Sequence, residues 1–402
     1  MSWPQFKIGD LCTLMTGGTP STNEPEYYEG GTVPWIVSGD IHRKEISGCE
    51  KRITELAVEE SNARYLPRDS VLIALNGQGK TRGTVALLRM EGATCNQSIV
   101  SINPNDKKKL SSDYLFHYLN SQYQNIRNIT GDKDRAGLNM PLIRGIAIPL
   151  PPLSEQKRIT AILDKADAIR RNRQQIIQLA DDFLRAVFLD MFGDPVTNPK
   201  GWAVKSVADL IRAGAIFQVQ DGNHGNDHPK VSDFTENGIP FVTANVVRRG
   251  KILFDQCYYL DRSWMEKLRI GFAKPRDVLL SHKGSLGFTA VLDKTCEDYI
   301  FSPQTTYYRV NEEKLLPEYL KAYFDSDFFQ RLFAREGVQS TRAYLGITRQ
   351  KDLPIMIPDL LSQMKFVDVF TKYEKLSEKL FEPTAHSDLF SSLSQKAFSG
   401  RL

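Results

Sequence analysis

The sequence predicts an α+β protein in which two mixed α/β units follow one another in tandem repeat. A long antiparallel two-helix coiled coil with pseudo-two-fold symmetry is expected to separate them. Three observations predict this fold class. A long central stretch has helical periodicity without proline or glycine, a second stretch near the C-terminus repeats its pattern, and the segments that flank the central stretch are duplicated.

The central stretch runs from Leu153 to Phe192. Ser154 follows the Pro151-Pro152 pair and is a good helix start, because its hydroxyl can accept a bond from a free backbone N–H. Apolar residues then recur three and four positions apart, at Ile159, Ile162, Ala166, Ile169, Ile176, Ala180, Phe183 and Val187. This spacing predicts one apolar stripe on a helix longer than a small domain needs, so we interpret the helix as a spacer.

A second stretch, from Leu361 to Leu380, has the same spacing, and the segments before the two stretches align. IPLPPLSEQ matches IMIPDLLSQ at a constant offset, which places Ile148 on Ile355, Pro151 on Pro358 and Gln156 on Gln363. A lone amphipathic helix cannot bury its stripe, so we expect the two stretches to pair antiparallel. Pro383 predicts a kink before a last helix from about Ser387 to Phe398. The alternative is two unrelated surface helices.

The flanking segments resemble each other in order. VPWIVSGDI, from Val33 to Ile41, resembles IPFVTANVV, from Ile239 to Val247, and LPRDSVLIAL resembles KPRDVLLSH. The segments that begin at Cys95 and Phe301 both predict a strand, a loop and an amphipathic helix. The inward positions of these helices are expected to be Tyr114, Leu115, Tyr118 and Leu119, and Tyr319, Leu320, Tyr323 and Phe324.

A duplicated body suits a ligand that itself has two-fold character. Duplex DNA is the obvious candidate, because half-sites about 34–36 Å apart present the same face of the double helix. The alternative is a duplicated scaffold without a nucleic-acid role.

Composition allows this function without demanding it. The 402 residues suggest two or three domains, and the net charge of +4 matters for nucleic acid only if the positive charges gather on one surface. No apolar signal segment and no run of membrane-spanning length is present, so we expect a cytoplasmic protein. The five cysteines are far apart with no CxxC pair, which favours reduced thiols over disulfides or a zinc ribbon.

The segment ALNGQGKT, from Ala74 to Thr81, satisfies a loose form of the phosphate-binding P-loop. A P-loop must open a helix, whereas the following residues, RGTVALL, predict a strand. We therefore interpret the segment as a glycine-rich hairpin that brings polar side chains close to a DNA backbone and to base edges. These side chains are Asn76, Gln78, Lys80 and Arg82.

Other polar side chains fall in matching loops of the two halves. Arginine, asparagine and glutamine can pair bidentately with bases, while lysine and serine can hold phosphates. A solvated surface charge is the alternative for any single one of them. The candidates for DNA contact are Arg43, Lys44, Lys133, Arg135 and Asn139 in the first half and Arg248, Arg249, Lys251, His282, Lys283, Gln339, Ser340 and Arg342 in the second.

The sequence carries no signature of catalysis. His224 and His228 have a spacing that suits a metal on a helix, but their segment is rich in glycine and asparagine, which predicts a loop and no metal site. Neither N-P-P-[FY] nor F-x-G-x-G of adenine methyltransferases occurs, and we find no nuclease carboxylate cluster. The chain is therefore expected to recognise a ligand without chemistry of its own.

The chain resembles the specificity subunits of type I restriction-modification systems over almost its whole length. The resemblance rests on GGTPST, from Gly17 to Thr22, on GQGKTRG followed by CNQSIV, and on IPLPPLSEQKRITAILDKADAIRR leading to FLDMFGDP. It also rests on IMIPDLLSQ through LFSSLSQKAFSGRL. Pro383 inside the second helical region departs from the pattern.

The resemblance implies two target recognition domains, residues 1–150 and 196–357, separated by conserved helical regions, residues 151–195 and 358–402. Such a subunit binds a bipartite double-stranded DNA target and recruits two modification subunits and two restriction subunits. It binds no cofactor itself, since S-adenosylmethionine, ATP and Mg²⁺ belong to those partners. Lys157, Arg158, Arg170 and Arg171 are expected to face the modification subunits. The alternatives are a non-catalytic assembly scaffold without DNA readout and a type II-like enzyme that methylates or cuts.

Overall fold

The computed structural model describes residues 3–77, 80–129, 137–224, 228–284, 286–337, 344–381 and 387–402. The chain divides into two compact units, unit 1 (Met1–Gln174 with Pro383–Leu402) and unit 2 (Gln175–Glu382). Each unit combines helices with sheets. The predicted fold class, mixed α/β units in tandem together with a long helix, is therefore confirmed.

Unit 1 is built around a mixed sheet in the strand order β2-β9-β6-β7-β4. Its strands are β1 (Gln5–Lys7), β2 (Cys12–Thr16), β3 (Val33–Ile36), β4 (Glu45–Ile46), β5 (Arg52–Ile53), β6 (Val71–Ala74), β7 (Val85–Leu88), β8 (Thr94–Cys95), β9 (Ile99–Pro104) and β10 (Ala147–Pro149). Its helices are α1 (Ile8–Leu11), α2 (Glu55–Glu60), α3 (Ser112–Ser121), α4 (Tyr123–Asn128) and α5 (Met140–Gly145). A smaller sheet has the order β5-β3-β8, and β1 pairs with β10.

The central helix α6 (Leu153–Phe192) contributes its first residues to unit 1 and the remainder to unit 2. Unit 2 repeats the plan of unit 1. Its strands are β11 (Ala203–Ser206), β12 (Ile216–Asp221), β13 (Phe234–Thr235), β14 (Ile239–Val242), β15 (Val247–Arg248), β16 (Lys251–Ile252), β17 (Tyr258–Leu260), β18 (Phe272–Ala273), β19 (Val278–Ser281), β20 (Thr289–Val291), β21 (Tyr299–Phe301), β22 (Thr305–Val310) and β23 (Pro354–Ile357). Its helices are α7 (Val207–Arg212), α8 (Trp264–Lys267), α9 (Pro317–Asp325), α10 (Asp327–Gly337), α11 (Ile347–Gln350) and α12 (Leu360–Phe381).

The sheets of unit 2 match those of unit 1. A four-stranded sheet in the order β12-β22-β19-β20 corresponds to β2-β9-β6-β7 of unit 1. A five-stranded sheet has the order β13-β17-β14-β21-β18, and within it β14 pairs in parallel with β21 as β3 pairs with β8. The pair β11-β23 corresponds to β1-β10. Because strand partners and directions recur in the same sequence order, the predicted duplication of the strands is confirmed.

The amphipathic helices α3 and α9 bury seven of the eight side chains that were predicted to face inward, and Tyr118 is half-buried. Tyr114 and Leu115 are fully buried in unit 1, as are Tyr319 and Leu320 in unit 2. The tyrosine hydroxyls remain hydrogen-bonded, which removes the cost of burying a polar group. Tyr114 donates to the carbonyl of Pro149 at 2.8 Å, and Tyr319 donates to the carbonyl of Met356 at 2.7 Å.

The long helices pack antiparallel within each unit. In unit 2, Phe188 and Phe192 of α6 contact Phe366 of α12, and the Tyr373 hydroxyl donates to Asp181. In unit 1 the partner of α6 is the last helix, α13 (Ser387–Phe398), whose bounds agree with the prediction. There the guanidinium of Arg170 lies 5.6 Å from the ring of Phe390. Pro383 lies outside the described residues.

Part of the predicted apolar stripe of α6 is exposed, so the prediction that the whole stripe is buried is wrong. Ile169, Ile176 and Phe183 are exposed by 52%, 47% and 58%, whereas the buried face includes Leu163 and Phe192. The apolar residues of this helix therefore form two stripes. The first, with Leu163 and Phe192, packs into the cores of the two units, and the second, with Ile169, Ile176 and Phe183, is exposed. Among the described residues, no helix is both long enough and apolar enough to cross a membrane.

Candidate nucleic-acid interface

Polar loops gather at one end of the larger sheet of unit 1. Strand β9 is antiparallel to both β2 and β6, and the register sets Thr16 opposite Val100 and Ala74 opposite Ile99. Residues 17–19, 75–77, 80–84 and 96–98 therefore leave the sheet at the same end. The N–H of Leu75 donates to the carbonyl of Ser98 at 2.8 Å. Residues 137–139 join them, because the N–H of Leu138 donates to the carbonyl of Leu75 at 3.0 Å. We call these segments the sheet-end loops of unit 1.

Unit 2 builds its sheet-end loops from the same hydrogen bonds. The N–H of His282 donates to the carbonyl of Gln304 at 2.9 Å, and the N–H of Leu345 donates to the carbonyl of His282 at 3.0 Å. Residues 222–224, 282–284, 286–288, 302–304 and 344–346 form this set. Both units therefore present corresponding loops on corresponding backbone contacts.

Several predicted DNA contacts lie in these loops. Asn76, Lys80 and Lys283 are exposed, and the Lys283 ammonium lies 5.8 Å from the ring centre of Tyr344. Asn139 is also exposed, but its side chain caps α5 by accepting from the N–H of Leu142 at 3.0 Å. Six further predicted contacts lie outside the described residues, namely Gln78, Lys133, Arg135, Gln339, Ser340 and Arg342.

Two predicted contacts are buried, which contradicts their expected role at the surface. Arg82 is only 7% exposed. His282 has no exposed surface, and its ring nitrogens lie 2.5 Å from the Thr306 hydroxyl and 3.3 Å from the carbonyl of Pro303. Burial lowers the pKa of His282 to about 4, so the ring is neutral at pH 7. His282 thus holds the loop in place from inside.

Two predicted lysine contacts tie a turn at the sheet edge to a long helix. Lys44 of unit 1 lies 3.0 Å from the carboxylate of Asp167 on α6. Burial opposes ionisation of Asp167, but the bonds from Lys44 and Arg170 prevail and lower the pKa of this carboxyl. Lys251 of unit 2 lies 2.6 Å from Glu378 on α12. The structure therefore gives Lys44 and Lys251 a structural role that the sequence analysis did not foresee.

The predicted arginines at the same turns have structural bonds as well. Arg43 donates to the carbonyl of Gly48 at 2.9 Å. Arg248 donates to the carbonyls of Ala244 and Val247, and its guanidinium lies 4.6 Å from the ring centre of Phe288. Arg249 is exposed at a backbone φ of 52°. As DNA contacts, all three stay predictions.

The two motifs that the sequence analysis set aside have other partners. The hairpin after Ala74 leads into strand β7, whereas a P-loop would lead into a helix. His224 lies 2.7 Å from Asp221, and the ring of His228 lies 5.5 Å from that of Phe241. Among the described residues, no group of three or more metal-binding side chains comes together.

A polar groove that was not predicted lies where the sheet-end loops of unit 1 meet residues 62–64. Its exposed side chains are those of Thr16, Thr19, Asn62, Arg64 and Gln97. The signal was present, because GGTPST and CNQSIV were both recognised as motifs. Nothing in the sequence showed that the two motifs meet.

Sheets that end in polar loops, together with long paired helices, define a duplicated recognition protein. The family model described as type I restriction modification DNA specificity domain matches residues 2–180 and 199–382. The chain belongs to this family, which confirms the predicted resemblance. It is a specificity subunit, the non-catalytic class of component in these systems.

Curated relatives carry the same description. The chain is 28% identical over 269 residues to the type I restriction enzyme MjaIX specificity subunit of Methanocaldococcus jannaschii, a match that covers 62% of this chain and 59% of that protein. It is 30% identical over 165 residues to the EcoR124I/EcoR124II specificity subunit of Escherichia coli, covering 40% of each. These matches span only about half the length of the two relatives. The EcoKI specificity subunit of E. coli K12 is 22% identical and matches 100% of this chain and 89% of its own length.

Solved structures agree in fold. The type I restriction-modification S subunit from M. genitalium has a TM-score of 0.61 at 13% identity, and the match covers 99% of this chain and 96% of that one. A chain from a study of complex assembly and conformational transition of the type I R-M system has a TM-score of 0.51 at 16% identity, covering 100% and 98%. At these identities the likeness concerns the fold alone.

Proposed function

We propose that this chain is the DNA-reading subunit of a type I restriction-modification enzyme and binds a bipartite target, with one unit on each half-site. The observation that carries the proposal is the pair of sheet-end loop sets. Their backbone hydrogen bonds correspond, yet their side chains differ, with Asn76 and Lys80 in unit 1 and Lys283 and Tyr344 in unit 2. A constant framework with variable polar side chains suits two different short sequences.

The long helices are proposed to fix the gap between the half-sites. Helix α6 is continuous over 40 residues and has a helical partner in each unit, α13 in unit 1 and α12 in unit 2. In this proposal residues 1–150 and 196–357 are the recognition domains, and residues 151–195 and 358–402 are the helical regions. A helix has a fixed rise per residue, so its length can define a distance along DNA.

The chemistry of the system is proposed to reside on partners. Modification subunits would bring S-adenosylmethionine and methylate adenine N6, and restriction subunits would bring ATP and Mg²⁺. We propose that these complexes contain two subunits of each kind and act in the cytoplasm. This chain's contribution is to bind the target and to place it before those subunits.

The second apolar stripe of α6 is a suitable docking surface for the modification subunits. Ile176, Leu179 and Phe183 are exposed by 47%, 67% and 58%, and contiguous exposed apolar surface marks interaction sites. The predicted basic contacts are less suited, because most have bonds within the chain. Arg158 lies 2.8 Å from Glu155, while Arg170 and Arg171 lie 2.5 and 3.3 Å from Asp167. Lys157 is exposed.

The proposal is tested by assembling the chain with its modification subunits and mapping methylated adenines across a genome. We expect two short specified sequences around an unspecified gap. A gel shift at increasing salt separates this function from a scaffold that does not touch DNA, since phosphate contacts give an affinity that falls steeply with salt. Assembly without any salt-dependent DNA binding would favour the scaffold. Methylation or cleavage by the isolated chain would favour the type II-like enzyme.

A further inference from the structure

The polar groove of unit 1 joins the family motifs GGTPST and CNQSIV, and neither motif has yet been given a contact with a ligand. The groove has a volume of about 480 Å³. Gly17 and Gly18 line it, together with the exposed side chains of Thr16, Thr19, Asn62, Arg64 and Gln97. We call it the glycine groove.

Close backbone packing explains the glycine pair. A Cβ atom on Gly17 would overlap the carbonyl of Cys95, and one on Gly18 would overlap the backbone that joins Asn62 to Ala63. Three chain segments therefore meet at this pair, and each contributes an exposed polar side chain at the point where they meet. The glycines hold the groove together, which leaves ligand contact to the side chains around them.

Those side chains have the chemistry for bases. Glutamine and asparagine can pair bidentately with adenine, and arginine can do so with guanine. The Thr19 hydroxyl donates to Oε1 of Gln97, which restricts the orientation of the Gln97 amide. Within the part of the chain that the structure describes, no acidic residue lines the groove and no carboxylate forms an ion pair with Arg64. A groove with an accessible guanidinium and no carboxylate suits a polyanion.

The position of the groove agrees with a role on DNA. Gln97 is next to Ser98, whose carbonyl accepts from Leu75, and Leu75 is followed by Asn76 of the glycine-rich hairpin. The groove therefore continues the surface of the sheet-end loops. One stretch of duplex could contact both features.

Unit 2 has the same frame with other side chains. A Cβ on Gly222 would overlap the carbonyl of Phe301, just as a Cβ on Gly17 would overlap the carbonyl of Cys95. At the positions of Gly18, Thr19 and Gln97, unit 2 carries Asn223, His224 and Pro303. His224 is hydrogen-bonded to Asp221 at 2.7 Å. The two units thus differ in polar side chains where their backbones correspond, as readers of two different sequences should.

We infer that the glycine groove is a base-reading site of unit 1 and that Gln97 and Arg64 determine which bases are accepted in one half-site. Thr19 positions the Gln97 amide through its hydrogen bond, and Asn62 lines the same groove. This inference rests on the proposed function, because it assigns residues within the DNA contact that the proposal requires.

The test is the genome-wide map of methylated adenines made by the complete methyltransferase carrying Q97A or R64A. We expect one half of the target to become degenerate at one or two positions, with discrimination there reduced roughly 5- to 150-fold, and the other half to stay unchanged. R68A is the matched control, because Arg68 is 55% exposed in the same unit and pairs with Glu91 at 3.7 Å. It should leave both halves intact.

A conservative variant covers the case in which an alanine variant fails to fold. R64K keeps the positive charge but replaces the planar, rigid fork of the guanidinium by a compact ammonium on a flexible stem, so it should relax one position while methylation continues. Unchanged halves in Q97A, R64A and R64K, with assembly and melting temperature as in the wild type, would overturn the inference. A wild-type enzyme without a bipartite target would instead refute the proposed function.

Discussion

Gln156 and Gln363 are fully buried and make the same three hydrogen bonds in their respective units. Gln156 accepts from the N–H of Ser111 at 2.9 Å and donates to the carbonyls of Lys109 and Pro151 at 2.7 and 2.9 Å. Gln363 accepts from the N–H of Leu316 at 2.8 Å and donates to the carbonyls of Lys314 and Pro358 at 3.3 and 2.9 Å. Each glutamine thus joins the start of a long helix to the loop before α3 or α9.

Gln156→Ala should destabilise unit 1 by about 3 kcal/mol, because it leaves buried backbone groups without their partner. Gln363→Ala should have a similar effect on unit 2. Gln178→Ala is the control, since Gln178 is exposed and bonds only Asp182 among the described side chains. Its effect should stay within about 0.5 kcal/mol. Urea unfolding measures all three, and equal small losses would show that the buried bonds carry no special weight.

The ion pair of Lys44 with Asp167 should contribute to stability and not to DNA affinity. Lys44→Met and Asp167→Asn should each destabilise unit 1, and a double-mutant cycle should give a coupling of about 1 kcal/mol, because the carboxylate is largely buried. DNA affinity of the assembled complex should be unchanged at a temperature where the variants are folded. A loss of affinity with unaltered stability would return Lys44 to the DNA contacts.

Lys80 and Lys283 should contribute to DNA binding chiefly through phosphate. Replacing either by alanine should weaken binding to all sequences alike and reduce the slope of log affinity against log salt by about 1. Lys108→Ala is a matched control, because Lys108 is exposed in the loop that follows the other end of β9. Titrations at several salt concentrations measure the slopes. Equal slopes for Lys80→Ala and Lys108→Ala would remove Lys80 from the interface.

The buried imidazole of His282 should make unit 2 less stable in acid. Its folded pKa of about 4 lies below the ordinary value of 6.5, so the unfolded chain binds a proton that the folded unit excludes. The contribution is fully present above pH 6.5 and is lost as the pH falls towards 4. Between pH 7 and pH 5 the loss should be about 2 kcal/mol.

His282→Gln removes the titrating group, so its unfolding free energy should depend less on pH in this range. Denaturant unfolding at pH 5 and pH 7 compares the two proteins, and the wild type serves as its own control at pH 7. The same pH dependence in both would mean that His282 is protonated in the folded state or that other groups dominate.

The sequence predicted the parts of the fold that rest on repetition. The alignment of Gln156 with Gln363 follows from IPLPPLSEQ and IMIPDLLSQ, and the structure gives both residues the same bonds. Where the same residue types recur at different backbone positions, the sequence alignment pairs the wrong residues. Asp69 and Arg276 have φ values of 66° and 76°. They occupy the same turn position, since their N–H groups donate to the corresponding carbonyls of Leu88 and Leu292, each at 2.8 Å. The shared PRD triplets are therefore displaced by one residue.

For the candidate site, the sequence predicted the loops but not which of their side chains are exposed. Because Asn76 and Lys283 are polar, they were predicted at the surface, and both are exposed. The same criterion selected Arg82 and His282, which are buried. Polarity does not reveal whether a side chain turns towards solvent or towards an internal acceptor. The glycine groove was missed for a related reason, because contacts between segments far apart in sequence create it. The exposed stripe of α6 could not be told from the buried one, since both have helical spacing.

A methylation map of a variant with one heptad inserted into each helical region, after Gln174 and after Phe381, tests whether the long helices set the distance between the half-sites. Seven residues lengthen a helix by about 10 Å, which corresponds to about three base pairs of duplex. We expect both specified half-sites to stay the same while the unspecified gap becomes longer by up to about three base pairs. Altered half-site sequences with an unchanged gap would contradict this expectation.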